Sequence, residues 1–282
     1  MKSRIFVLMS TITVFAVLGI RIRVAAQDQQ EQKAAQPHRY TVTALSTLGG
    51  TGSGGNSINN KGWVAGASTL AGDTILHATL WRNGVITDLG TLGGPNSFVV
   101  APVKNDRGLI VGIAETSTPD PLGEGFCAAS FLLGFNTGLT CLGFLWQNGV
   151  MAPLPPLLGG NNSQASGVNN RGQVVGWAES STYDTTCIAP QRLQIEAVIW
   201  EQGQIQKLRP LPGDVDGAAS AINDKGQVAG CSGICGNTLG GTSGATPGCV
   251  HAVVWQNGSP TNIGGLTRTI REGTSDGKFA GV

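Results

Sequence analysis

The chain has 282 residues, of which 40% are apolar, 12% are charged and 43 are glycine, with a formal net charge of +1. The charged share is about half the usual quarter, and the apolar content excludes the disordered class, which couples low hydrophobicity to high charge. A balance so near neutral supplies no basic field for nucleic acid and no acidic tail.

Residues 1–26 read as a secretory signal. Lys2 and Arg4 give the positive start, Ile5 to Ile20 the apolar run, and Val24-Ala25-Ala26 a small-residue cleavage site before Gln27. Arg21 and Arg23 flank the run and leave an uncleaved anchor as the one membrane association to expect. The run is shorter than the roughly 20 residues of a comfortable span, so cleavage and export, to the periplasm or outside the cell, is the preferred reading. Residues 27–39, rich in Gln, Glu and Ala, form a polar linker. A single repeat domain is expected over 40–282.

One phrase organises that domain. Asn59-Asn60-Lys61-Gly62-Trp63-Val64-Ala65-Gly66 returns at Asn105 to Gly112, at Asn169 to Gly176 and at Asn223 to Gly230. A worn copy, Thr274 to Gly281, closes the chain. About five repeats of roughly 45–65 residues mean an array of one supersecondary unit. The third repeat reads as four short strands. Ser163 to Val168 is the first, and Asn169-Asn170-Arg171-Gly172 turns into a second over Gln173 to Ala178. The third, Ala197 to Trp200, follows an insertion, and Glu201-Gln202-Gly203 turns into a fourth over Gln204 to Leu208. The runs are short and β-branched, which favours strands. Asn and Gly suit the turns, because both tolerate positive φ; Gly62, Gly108, Gly172 and Gly226 hold the same turn position.

The third strand ends in Trp81, Trp146, Trp200 and Trp255, each followed by a hairpin turn and each preceded, three positions earlier, by Ala78, Gly143, Ala197 or Ala252. A ring beside a small residue at one fixed place predicts packing between neighbouring sheets; an aromatic ligand platform is the alternative. Trp63 and Trp177 do not recur and are expected to be freer for surface contact. Leu45 to Gly50, Leu89 to Gly94, Leu154 to Gly160 and Leu208 to Asp214 carry the chain between repeats. No helix start or Lys follows these Gly-rich links, so a nucleotide-binding loop is excluded.

Four antiparallel strands per repeat with a fixed crossover describe an all-β fold, a β-propeller. Tyr40 to Leu48 would be an orphan fourth strand that completes the last blade. That blade is then still one strand short at Val282, which leaves truncation, an irregular blade or a strand from another chain as readings.

The Leu-Gly-Thr-Leu-Gly-Gly, Ile-Asn-Asn-x-Gly-x-Val-x-Gly and His-Ala-x-x-Trp phrases, in fixed order over about 40–282, resemble the HAF family of extracellular repeats. That family is named for a His-Ala-Phe consensus, and the resemblance implies an exported bacterial protein. It brings no reaction and no catalytic residues. The namesake His survives as His77 and His251 but is Leu142 and Glu196 in the other repeats.

Six cysteines in an exported chain read as disulfides. Cys127 and Cys141 flank one insertion, Cys231 and Cys249 another, and Cys187 and Cys235 remain. A zinc site from Cys231, Cys235, Cys249 and His251 is the disfavoured alternative. His77 and His251, at one repeat position, are read as structural rather than as a metal or acid–base pair. Asp214 and Asp216 suggest part of a calcium loop, but such a loop needs six to eight oxygens and no further carboxylate stands at the right spacing, so turn structure is favoured.

These features lead to a secreted, disulfide-stapled binding module, with polysaccharide, cell-wall polymer or another exported protein as partner. A polysaccharide hydrolase or lyase using channel carboxylates such as Glu115, Glu179 and Glu196 is the first alternative. A scaffold completed by another chain is the second.

Overall fold

The computed structural model of the protein describes residues 40–99, 105–127, 137–189, 191–235 and 250–265. The signal, the linker, Cys249 and the worn fifth copy lie outside them. The chain divides into two units, Met1–Ala44 and Leu45–Val282. Residues 40–44 of the first carry no regular secondary structure.

The second unit is all-β, four antiparallel sheets of four strands among the described residues. The first holds β1 (Gly49–Ile58), β2 (Val64–Leu70), β3 (Leu76–Arg82) and β4 (Val85–Asp88). The second holds β5 (Gly93–Phe98), β6 (Ile110–Pro119), β7 (Leu139–Gln147) and β8 (Val150–Leu154). The third holds β9 (Ser163–Val168), β10 (Val174–Tyr183), β11 (Leu193–Glu201) and β12 (Gln204–Lys207). The fourth holds β13 (Asp216–Ile222), β14 (Val228–Gly233), β15 (His251–Gln256) and β16 (Ser259–Gly265). Within every sheet the strands pair in chain order. The expected orphan strand over Tyr40–Leu48 is not formed. Residues 40–47 are irregular, and Leu48 makes a single parallel bridge to Leu70, as Leu92 does to Thr116. Leu48 and Leu92 thus hold the same place, each bridging the second strand of the sheet that follows it.

Two backbone devices explain the repeated phrases. The β3–β4 type turns take φ of 52° at Asn83, 51° at Asn148, 52° at Gln202 and 51° at Asn257, each followed by a glycine at positive φ. Paired left-handed residues twist as the flanking strands do, which is why Asn-Gly recurs there. The last glycine of each Asn-turn phrase has a different cause. A Cβ on Gly176 would stand 1.9 Å from the carbonyl oxygen of Gln164, and one on Gly66 would stand 1.9 Å from that of Gly54. The register between first and second strands shifts here, between Val175 and Gly176 in the third sheet. The bulge brings the two backbones closer than any side chain permits.

Consecutive sheets are stitched by side chains of the first strand. Asn96 and Ser97 of β5 accept the backbone N–H of Leu76 at 3.0 Å and of Ala78 at 2.8 Å in β3. Asn162, just before β9, and Ser163 repeat this on Cys141 at 2.9 Å and Gly143 at 3.0 Å in β7. The small residue three positions before each Trp is thereby explained: a Cβ on Gly143 would approach the backbone nitrogen of Ala165 to 2.9 Å. The Trp rings themselves lie in the interior. Trp81, Trp200 and Trp255 are buried, and their indole N–H groups donate to the link carbonyls of Ser46, Pro155 and Arg209 at 2.9, 2.9 and 2.7 Å. Trp146 is partly buried against the same core. The main core runs from Ala65 and Leu80 in the first sheet through Val111 and Phe144 to Val174 and Trp200 in the third, and a second one centres on Val175, Val253 and Trp255.

The Asn turns form a second line of stitches. Asn59, Asn105 and Asn169 each accept the N–H of the residues two and four places on, through Oδ1. Their amides donate to the carbonyl of the equivalent residue in the next repeat: Asn59 to Asn105 at 3.2 Å, Asn105 to Asn169 at 2.8 Å and Asn169 to Asn223 at 3.1 Å. Only a side chain that accepts and donates at once does both, hence Asn rather than Asp at this place. The next residue adds to the clasp where Asn60 and Asn170 donate to Asp106 and Asp224. The Asn170 amide holds the Asp224 carboxyl below the usual carboxylate range. A cavity of about 600 Å³ is lined by Gly55 to Ile58 of β1, Gly167 and Val168 of β9 and Ala221 and Ile222 of β13, so first strands of three sheets surround it.

Candidate functional site

In an antiparallel four-stranded sheet the first and third turns share one end, and the second connection shares the other with the link to the next sheet. The Asn turns and Trp hairpins therefore occupy one end of each sheet, and the second connections, which vary most in length, occupy the opposite one. The second connection is 71–75 in the first sheet but 120–138, 184–192 and 234–250 in the other three. These insertions interlock. Glu124 accepts the N–H groups of Arg192 at 2.5 Å and Leu193 at 3.1 Å, and the Arg192 guanidinium donates to Leu122 O at 3.2 Å. Gln191 donates to Asp216 at 2.8 Å, tying the third insertion to the start of β13. Cys187 is bonded to Cys235, which joins the third insertion to the fourth, and Cys127 to Cys141 within the second repeat.

Beneath the insertions Phe126 meets Trp177 edge-on, with ring centroids 5.3 Å apart and planes at 71°. Trp177 is 3% exposed, which corrects the expectation of a surface contact: the insertion folds back over its ring. Trp63, the other unrepeated Trp, is partly buried and lies under Lys61 and Arg82 at 5.2 and 5.0 Å. Over the outside of the insertions, apolar side chains face solvent. Tyr183 is 58%, Ile188 47% and Ile234 44% exposed, the last two each next in the chain to a cysteine of the disulfide that joins the insertions. Leu158 and Val215, in the links at this end, are exposed as well.

The candidate metal ligands separate. Asp214 accepts hydrogen bonds from the Ser232 hydroxyl and, at 2.9 Å, from His251 Nδ1, whereas Asp216 is fully buried and bound to Gln191. Among the described residues no group of three His, Cys, Asp or Glu is placed to hold a metal ion. Cys231 is disulfide-bonded, as is Cys235, so neither presents the thiolate a zinc site requires. Cys249, the partner expected for Cys231, lies outside the described residues.

The namesake His position has a structural explanation that the sequence concealed. His77 Nδ1 meets Asp88 at 2.8 Å and its Nε2 meets Pro95 O at 3.1 Å. In the third sheet Glu196 holds the place of His77 and Lys207 that of Asp88, and the two form an ion pair of reversed sign. Cross-strand register confirms the equivalence, Thr79 facing Asp88 as Val198 faces Lys207. Leu142 and Pro153 replace both in the second sheet, where Phe144 faces Pro153. The position tolerates charge reversal and an apolar pair, and in the fourth sheet His251 turns instead to Asp214 in the link.

The three carboxylates with a proposed catalytic role are also internal. Glu115 accepts the N–H and amide of Asn96 and the Thr137 hydroxyl, at 3.0, 2.9 and 2.6 Å. Glu179 receives the N–H groups of Asn161 and Asn162 at 2.9 and 2.8 Å. Glu115 thus holds β5 and Glu179 the link before β9, and all three side chains, Glu196 included, are buried. Burial pushes the Glu179 carboxyl up to about 8, with the negative charge of Glu124 adding to it. Glu124 was not singled out from the sequence. Its one signal was an acidic pair, Asp120 and Glu124, in an insertion of a charge-poor chain.

No family model matches the chain, and neither the curated proteins nor the solved structures contain a match.

Proposed function

We propose that the protein is an exported binding module, an HAF-type repeat protein whose sheets are blades of a β-propeller. The propeller reading is supported by first strands that line one cavity and by the stitching of β5 and β9 onto the sheet before each. Export is supported by the disulfides, which persist in oxidising compartments, and by the signal-like start.

The observation that carries the binding reading is the interlocked insertion surface: three repeats contribute to it, a disulfide fixes it, and Tyr183, Ile188 and Ile234 face solvent on it. An apolar patch on a braced surface is the usual anatomy of an interaction site. Surface glycan or cell-wall polymer is the partner class we favour, since a tyrosine face offers a stacking platform for a sugar ring; another exported protein is the second. The hydrolase reading gains no side chain, because Glu115 and Glu179 are buried in structural hydrogen bonds and Glu196 is buried in an ion pair.

The test is depletion of oxidised protein by insoluble polysaccharides and cell walls, alongside Tyr183→Ala and Ile188→Ser. Saturable depletion that drops at least about fivefold in either variant is expected, the size of a lost hot spot. Undiminished depletion in both variants would move the site elsewhere, and no depletion by any polymer would favour a protein partner.

A further inference from the structure

The seat of the second repeat's insertion holds three carboxyl groups. Glu124 and Glu179 are fully buried and Asp120 is 8% exposed. Among the described residues, the ion pairs are His77–Asp88, Lys207–Glu196 and His251–Asp214, so no cation neutralises this trio. Neutral donors do part of the work. The Asn162 amide bridges Asp120 at 3.0 Å and both oxygens of Glu179 at 3.3 Å. Asp120 also accepts the N–H groups of Leu122, Gly123 and Glu124, which closes the insertion's first turn.

One oxygen of Glu124 takes the Arg192 and Leu193 N–H groups. Its other oxygen is buried and meets no hydrogen-bond donor, and the fully buried carboxyl of Glu179 is the neighbouring group that interacts with it. A buried carboxyl oxygen with no donor and no cation beside it is satisfied by a proton shared with the neighbouring carboxyl, whereas two carboxylates there would repel in a site of low dielectric. We propose that this pair is a proton-gated latch: one proton held between Glu124 and Glu179 seats residues 120–124 against the third sheet, and its loss in alkaline solution unseats them.

Every charged group that faces the pair agrees with the direction. Asp120, on the insertion itself, adds negative charge and favours keeping the proton. From the segment before β11, Arg192 turns its guanidinium to Leu122 O. Asn161 and Asn162 from the link before β9 are neutral. Burial raises both carboxyls, Glu179 to about 8, so the seated state holds at neutral and acidic pH. The opening is local, because the Cys127–Cys141 disulfide and the Phe126–Trp177 contact still tether the far end. Since the insertion underlies the surface assigned above to binding, the latch would tune that surface, yet its test uses no ligand, and either reading can fail alone.

The test is backbone hydrogen exchange of the full oxidised chain between pH 6 and pH 9.5, corrected for intrinsic rates. Protection of the Arg192 and Leu193 amides should fall at least about tenfold more than that of Val174 and Val175, as a site-specific sub-global opening does. Glu179→Gln and Glu124→Gln each replace the shared proton by a permanent amide donor, so both should hold protection flat over that range. Unchanged protection in the native chain would overturn the latch, as would an equal alkaline loss in both variants. If neither variant folds, the native profile alone decides.

Discussion

Asn169→Asp tests whether the repeated asparagine is a clasp between repeats or only a local turn residue. Asn169 is 2% exposed, and its Oδ1 accepts the N–H groups of Arg171 and Gln173, both at 3.0 Å. An aspartate keeps those two bonds. It loses the amide that donates to Asn223 O at 3.1 Å and to Gln173 Oε1 at 2.7 Å. The Gln173 amide can turn and donate instead, but the Asn223 carbonyl loses its partner and faces an anion. An unsatisfied part-buried carbonyl costs about 1–3 kcal/mol, and we take about 2 kcal/mol for the whole change. Asn223→Asp is the control. The Asn223 amide donates to Gln227 Oε1 at 2.8 Å in an exposed turn, so the cost there should stay within about 0.5 kcal/mol. Urea unfolding of the oxidised proteins at pH 7, followed by tryptophan fluorescence, reads the difference. For a domain of this size about 2 kcal/mol corresponds to a Tm drop of about 4–8 °C. Equal losses in the two variants would refute the clasp, since a purely local turn role is the same in both.

Gly176→Ala should cost more than about 3 kcal/mol, because its Cβ would stand 1.9 Å from Gln164 O, and Gly172→Ala only about 1–2 kcal/mol, since that position is open but has φ of 87°; the reverse order of Tm values would sink the bulge explanation. His77→Glu should destabilise by about 1 kcal/mol beside Asp88, and adding Asp88→Lys should recover most of it, a coupling that a double-mutant cycle of unfolding free energies would find absent if the two sites were independent. Raising pH from about 4.5 to about 8 should weaken the fold: Glu179 is raised above its ordinary 4.5, so the native state binds more protons than the unfolded chain over that window. The slope is at most about 1.4 kcal/mol per pH unit for one proton, and it should flatten above about pH 8. Unfolding free energies that rise with pH between 5 and 8 would contradict the buried pair.

The strands and turns of this protein are local consequences of its sequence. Asn-Gly at Asn83, Asn148 and Asn257 demands left-handed backbone within two residues, and short β-branched runs such as Val174-Val175 have no helical alternative, so four strands per repeat were readable from spacing alone. Burial of the recurring Trp at Trp81, Trp200 and Trp255 fits an interior ring beside a small residue. What depended on tertiary structure was every relation between residues of different repeats. Nothing near Glu124 in the chain announces Glu179, and nothing near Glu196 announces that it replaces His77 in a reversed pair. The orphan strand at Tyr40–Leu48 failed for the same reason: a link and a strand share the same Leu-rich phrase and differ only in what packs beside them. By itself the sequence determined the repeating unit and its turns, since those are set by backbone sterics and short-range hydrogen bonds. Only the tertiary structure decided which carboxyls are buried, which cysteines meet and which apolar side chains face water, because those depend on how insertions of unlike length pack over one end of neighbouring sheets.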